Sequence, residues 1–385
     1  MKKYQEAKKR LAALIALSIL GAALLSSCSS STEMISSGGA TQSSSMAVDV
    51  IRDMSEELAN PNTVGNTSGN MSNYGFAAEQ AGWIYYAAQG AIFRIEDGSD
   101  DLSVAEEVYS GNQPMCLNII GKDLFFRDSG ELKHLDLETG ALETLYSPNG
   151  LYNNRGVIWL ENGMLYYIEE RPTSASSKEY RLMQRAADAP AEEVGECIYA
   201  SEKSLDCILG TVDGYLYLAK ANGVEYTGHD VVGVSLSTGE VRDIYAEPWA
   251  TPIDDNRRPH IRNFLIEDGK LYGLCNLGEG IAGNSSIVIY DLVQQQVVRG
   301  FVKDWEYGAT FNQFDGRFLV SMSHVGMALC QPGDQSGPIV NEDYAGNVCT
   351  AGDYIFYTLM ENGGFSLHAV KGDGSCYQRI GKISL

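Results

Sequence analysis

The stretch AGWIYYAAQGAIFRIEDG, residues 81–98, pairs an aromatic strand with a second strand that ends in a glycine turn. The same signature returns along the chain. It reads GWIYY at Gly82, GKDLFF at Gly121, NGMLYY at Gly163, DGYLYL at Gly214, DGKLYG at Gly269, DGRFLV at Gly316 and GDYIFY at Gly352. The seven copies are spaced 36 to 55 residues apart. A period of about 40 to 50 built only from short strands and glycine turns is the signature of a β-propeller, with one four-stranded blade per repeat.

Counted from the recurring glycine, each repeat threads onto four antiparallel strands. The second gives DLFFR, ELKHLDL, ALETLY and GVIWLE, and the fourth gives YLYLA, VVGVSL, VRDIY and IRNFLI. Alternating apolar residues and Gly, Asp or Asn at the turns support each strand. The last repeat supplies YIFYTL, SLHAV and CYQRIG and then stops, whereas NYGFAAEQ, residues 73–80, precedes the first repeat without a blade of its own. The expected fold is therefore all-β, a seven-bladed propeller in which this N-terminal strand closes the last blade and leaves no open edge. Six or eight blades are the alternatives, depending on how the irregular stretch HVGMALCQPGDQSGPIV is counted.

The pattern GWIYY…AIFRIEDGS resembles the repeat of bacterial lipoproteins whose propeller is similar to the YWTD-type propeller of low-density-lipoprotein-receptor proteins. The resemblance covers residues from about 73 to 385. It implies the propeller fold and no particular ligand; the receptor propellers have six blades, and WIYY stands where they carry YWTD.

The N-terminus reads as an address. Lys2, Lys3, Lys8, Lys9 and Arg10 precede the apolar run LAALIALSILGAALL, which is shorter than the ~20 residues a membrane-spanning helix needs. LSSC follows and resembles a lipobox, which implies a signal peptide over residues 1–27 and a diacylglycerol on Cys28. The expected location is the extracytoplasmic face of the cell membrane, with the lipid as the membrane contact. Without residues 1–27 the chain keeps 23 Lys+Arg against 49 Asp+Glu, a net charge of about -26. Such a surface repels nucleic acid. Residues 28–72, rich in Ser, Gly, Thr and Asn, read as a tether, with a short helix expected around Val48, Ile51, Met54 and Leu58.

Motifs for chemistry are absent: there is no HExxH, GxSxG, Walker loop or CxxC, and His134, His229, His260, His324 and His368 lack metal-ligand spacing. No catalytic residue, metal or cofactor is expected. EDGSDDL, residues 96–102, is rich in oxygen but lacks calcium-loop spacing and reads as a solvated turn. Seven cysteines follow Cys28, an odd number. If the strands around ASEKS form a hairpin, Cys197 faces Cys207 and a disulfide is within reach, the alternative being two buried thiols.

The long connections fall on one side of the expected propeller. They are RPTSASSKEY, NGVEYTGHD, AEPWATPIDDNRRPH and NLGEGIAGNSS, from consecutive repeats, and long loops on a rigid scaffold are where binding usually resides. Arg171, Tyr180, Tyr226, His229, Trp249, Arg257, Arg258 and His260 place aromatic and cationic groups there. These types are enriched at binding hot spots, and aromatic faces beside polar groups also suit sugars. The sequence thus points to a surface lipoprotein that binds an extracellular protein or a glycan. An enzyme working at the central channel, a lyase or hydrolase, and a structural envelope scaffold are the alternatives.

Overall fold

The computed structural model describes residues 65–221, 229–244, 260–276, 284–306, 308–322, 325–330 and 337–385. In it the recurring glycine closes a two-residue hairpin turn. At Asn162-Gly163 both residues have positive φ, 49° and 74°, the type I′ geometry whose twist matches that of the paired strands. Ala81-Gly82, Asp213-Gly214, Asp268-Gly269 and Asp315-Gly316 repeat it. Each such turn joins the first two strands of a sheet, as Ile158–Glu161 joins Met164–Pro172.

Seven four-stranded antiparallel sheets result, each built from four consecutive strands. The inner strands of blades 1 to 7 are Ala77–Gln80, Pro114–Ile120, Ile158–Glu161, Leu205–Val212, His260–Glu267, Gly308–Phe314 and Val348–Ala351. Each neighbours the next around the ring, and the last lies beside the first. Apolar side chains fill the space between blades. Tyr86 of blade 1, for example, stacks on its own Phe93 at 5.5 Å and on Phe356 of blade 7 at 5.3 Å.

Seven blades agree with the repeat count and exceed the six of the receptor propellers, but the phase of the repeat is shifted by one strand. GVIWLE and IRNFLI, expected at the outer edge of one blade, form the inner strand of the next. Connection length is the reason. The two-residue turn at Asn162-Gly163 locks Ile158–Glu161 to Met164–Pro172, whereas residues 146–157 separate it from Leu142–Leu145.

The expected clasp is corrected with it. Residues 77–80 pair with Trp83–Ala88 inside blade 1, and blade 7 owns all four of its strands, Val348–Ala351, Tyr354–Glu361, Gly364–Lys371 and Gln378–Ile383. Blades 1 and 7 are instead sewn together by polar contacts. Lys371 Nζ, 2.8 Å from Asp353 of its own blade, lies 2.5 Å from Asp100 of blade 1, Tyr354 donates to Ser99 O at 2.8 Å, and Gln89 N donates to Lys382 O at 2.8 Å. The acidic turn EDGSDDL is thus a seam: Asp100 reaches Lys371, and Asp101 caps the short helix Leu102–Val104.

A second closure comes from the stretch read as tether. The boundary at residue 73 is too late, because residues 65–72 are already inside the ring, and Ser68–Ser72 form a five-residue helix with every residue buried. Inner strands have one edge without a strand partner, and their backbone groups need hydrogen bonds when water is excluded. Polar side chains of this plug supply them. Asn70 bonds Ala77 O, Thr350 O, Thr350 N and Asn312, and Asn73 bonds Phe311 O, Asn263, Thr310 and Val348 N. Ser72 donates to Phe264 O at 2.8 Å, and Ser68 accepts from Ile266 N at 2.9 Å. Gly65 and Gly75 pair through their backbones with Ile119 and Leu117 of blade 2. The helix expected around residues 48–58 lies outside the described residues.

Candidate functional site

Alternation of the strands gives the propeller two faces. One, the short-turn face, carries the recurring turns between first and second strands and the connections between third and fourth; the other, the loop face, carries the connections between second and third strands and those between blades. Residues 146–157 and 173–177 cross the loop face, and the flanking residues of three further connections, Ala221 and His229, Ile244 and His260, Asn276 and Asn284, end there as well. All belong to blades 2 to 5, so the expected grouping of the long connections on one face holds in the topology.

The described part of that face centres on Asp206. The inner strand of blade 4 slips register between Leu205 and Cys207, which pair with Lys220 and Ala219, so Asp206 is the extra residue of a bulge. A bulge re-aims the side chain it carries. Asp206 Oδ1 accepts from Asn154 Nδ2 at 3.0 Å and from Ser204 Oγ, and Oδ2 lies 2.6 Å from His229 Nε2. Burial would raise the Asp206 carboxyl, but the hydrogen bonds from His229 and Ser204 and the charges of His229 and Arg155 outweigh it and hold the group below its ordinary value. The result is a fixed, ionised carboxylate, half-buried beside an imidazole.

Aromatic groups flank it. Ser204 Oγ also bonds Tyr152 OH at 3.1 Å, and the Tyr152 ring meets Tyr180 edge-on at 5.0 Å. The loop bearing Tyr152 is clamped from below by the buried Arg127, which donates to Asn153 Oδ1 at 2.7 Å and Asn154 O at 3.1 Å. Arg155 lies over the Tyr74 ring at 5.6 Å, so the end of the plug meets the edge of this cluster.

Of the residues singled out from sequence, Tyr180 and His229 therefore enter one network. Arg171 is exposed at the far end of its strand, opposite Glu179. Tyr226, Trp249, Arg257 and Arg258 lie outside the described residues, as does Cys28, and His260 is described by its backbone alone, at the start of the inner strand of blade 5. Tyr152, Asn154, Ser204 and Asp206 were not anticipated. Only the bulge brings Asp206 to His229, and a bulge leaves no mark in the residue pattern.

The possible Cys197–Cys207 bridge is not formed: both are free thiols, the alternative reading, although only Cys207 is buried. Cys197 sits opposite Met183 in the outer strand of blade 3, exposed, while Cys207 is buried in the inner strand of blade 4. The short stretch between them crosses from blade to blade and is not a hairpin turn.

The channel itself, where a catalytic site was the alternative, holds residues 65–76. Asp206 directs its acceptors to Asn154, Ser204 and His229, and Ser204 bonds the carboxylate rather than the imidazole, so these three do not form a relay from hydroxyl to base. Among the described residues no group of three or more His, Cys, Asp or Glu is placed to hold a metal ion.

No family model matches the chain, and no curated protein matches it at a significant level. Solved structures do. The extracellular domain of a putative one-component system from B. thetaiotaomicron aligns at 12% identity and a TM-score of 0.53, over 85% of this chain and 43% of that one. A puromycin-hydrolyzing peptidase of Mycobacterium tuberculosis aligns at 11% and 0.53, over 84% of this chain and 56% of that one. A prolyl endopeptidase aligns at 9% and 0.51, over 86% and 50%. At such identities the likeness is one of fold.

Proposed function

We propose that the chain is a lipid-anchored, extracytoplasmic binding module that engages a protein or glycan through the loop face of blades 3 to 5, without chemistry of its own. The observation that carries the reading is the division between channel and rim. The channel is filled by the chain's own Asn and Ser side chains, whereas the rim holds Tyr152, Tyr180, Asp206 and His229 in one half-exposed network. A preformed carboxylate and imidazole beside two tyrosine rings offers directional hydrogen bonds and flat apolar surface, which both peptides and sugars use. The plug also fixes where the described chain begins. Gly65 N donates to Ile119 O, beside the Gly121 turn, so the described chain begins on the short-turn face, opposite the Asp206 network.

The test is a thermal-shift screen of the chain without residues 1–28 against oligosaccharides, peptidoglycan fragments and peptides. A ligand at a hundredfold excess over its Kd stabilises the native state by about 2.7 kcal/mol. The reading expects a shift that Tyr180→Ala and His229→Ala abolish. A shift that both variants retain would place the ligand elsewhere.

A further inference from the structure

We propose that the central channel is a peptide-recognition site selective for the pattern Ser-Gly-Asn-Met-Ser-Asn, and that residues 65–76 are its ligand, held in cis. The pattern is read by the inner strands of blades 1, 5, 6 and 7. Ser68 accepts from Ile266 N in blade 5. Gly69 has no room for a side chain, since a Cβ there would fall on Asn312 Oδ1 of blade 6. The Asn70 amide uses both its donor and its acceptor, giving to Ala77 O of blade 1 and Thr350 O of blade 7 and taking from Thr350 N and Asn312 Nδ2. Met71 is fully buried in the main core, its Sδ 3.3 Å from Asn66 Nδ2 and 4.0 Å from Asn118 Nδ2 of blade 2. Ser72 donates to Phe264 O, and the Asn73 amide joins blades 5, 6 and 7 through Asn263, Thr310, Phe311 O and Val348 N.

No apolar side chain, and no Asp or Glu, reproduces these bonds. An amide gives and takes at once, whereas a carboxylate only accepts and would leave the carbonyls of Ala77, Thr350 and Phe311 facing it. Recognition of this kind belongs to a binding site rather than to a spacer. Because the ligand is covalently attached, it is present at an effective concentration in the millimolar range and excludes the same peptide offered from outside.

The experiment uses the whole chain with Asn70→Ala and Asn73→Ala, which weakens the cis ligand and substitutes no residue of a blade, and a fluorescent peptide of residues 62–75. The expected result is saturable binding to the double variant, about a hundredfold or more tighter than to the parent chain, together with a rise in the variant's melting temperature that a peptide carrying the same two alanines does not give. Binding to neither protein, equal binding to both, or equal binding of the alanine peptide would each overturn the assignment. If the double variant does not fold, refolding with the peptide present must restore a cooperative transition, and its failure to do so, with Asn73→Ala alone also refusing the peptide, counts equally against it.

Discussion

Asn70 and Thr350 exchange two hydrogen bonds across the channel: Asn70 Oδ1 accepts from Thr350 N at 2.7 Å, and Asn70 Nδ2 donates to Thr350 O at 2.8 Å. One side-chain amide thus does for the inner edge of blade 7 what a peptide group of a neighbouring strand would do. Replacing it by leucine keeps the branching and removes every side-chain bond, leaving backbone groups of Ala77 and Thr350 unpaired at about 1–3 kcal/mol each. Asn70→Leu should destabilise the chain by at least about 3 kcal/mol in urea denaturation. A loss under about 1 kcal/mol would mean that the plug is a passenger.

The seam between blades 1 and 7 should matter less. Lys371 is drawn to Asp100 and Asp353, but Asp100 is fully exposed, and water and salt screen such pairs. Lys371→Met is expected to lower the denaturation midpoint by clearly less than Asn70→Leu, with a difference from parent that shrinks further in high salt. The reverse order would make the seam, and not the plug, the closure of the ring.

Acid should weaken the fold in two windows. Burial pushes the His368 imidazole below its ordinary value, against the opposing pull of Glu361 and Asp343, while its two nitrogens bond Ser366 at 2.9 Å and Tyr377 at 2.8 Å. A folded-state value below the unfolded one means that stability is full above about pH 6.5 and declines as pH falls from there. Asp206, also depressed, contributes fully above about pH 4 and is lost below it. Melting temperatures of His368→Gln and Asp206→Asn should each lose the corresponding part of the pH dependence. An unchanged profile in His368→Gln would show that the imidazole titrates as in the unfolded chain.

Thiol reactivity separates the cysteines. Burial raises the thiols of Cys116 and Cys207, and lifts Cys349 to about 12, so none of the three supplies thiolate at neutral pH. Cys197 is exposed. Alkylation of the native chain followed by peptide mass mapping should modify Cys197 and spare Cys116, Cys207 and Cys349 until denaturant is added. Recovery of a Cys197–Cys207 linked peptide would contradict the strand assignment.

How far the sequence carries the fold can be judged at particular residues. The seven glycines were legible because a two-residue hairpin turn demands positive φ, and Gly, Asn and Asp answer that demand visibly. The phase was not, because GVIWLE reads equally well as the end of one blade or the start of the next, and only the tightness of the Asn162-Gly163 turn decides. The plug was invisible for a different reason. GNTSGNMSN has the composition of a solvated tether, and its amides become structural only where seven strand edges converge. Tyr180 and His229 could be nominated from their types and loop position, whereas Asp206, brought to them by a register shift, could not.

The most direct measurement is site-specific photo-cross-linking in intact cells, with the photoreactive residue placed at Arg171 or Lys178 on the loop face and at Lys122 or Asn162 on the short-turn face. The account predicts a discrete adduct from the loop-face positions that His229→Ala diminishes, and none from the short-turn positions. Adducts from Lys122 or Asn162 alone would contradict it, because the partner would then sit on the face opposite the Asp206 network.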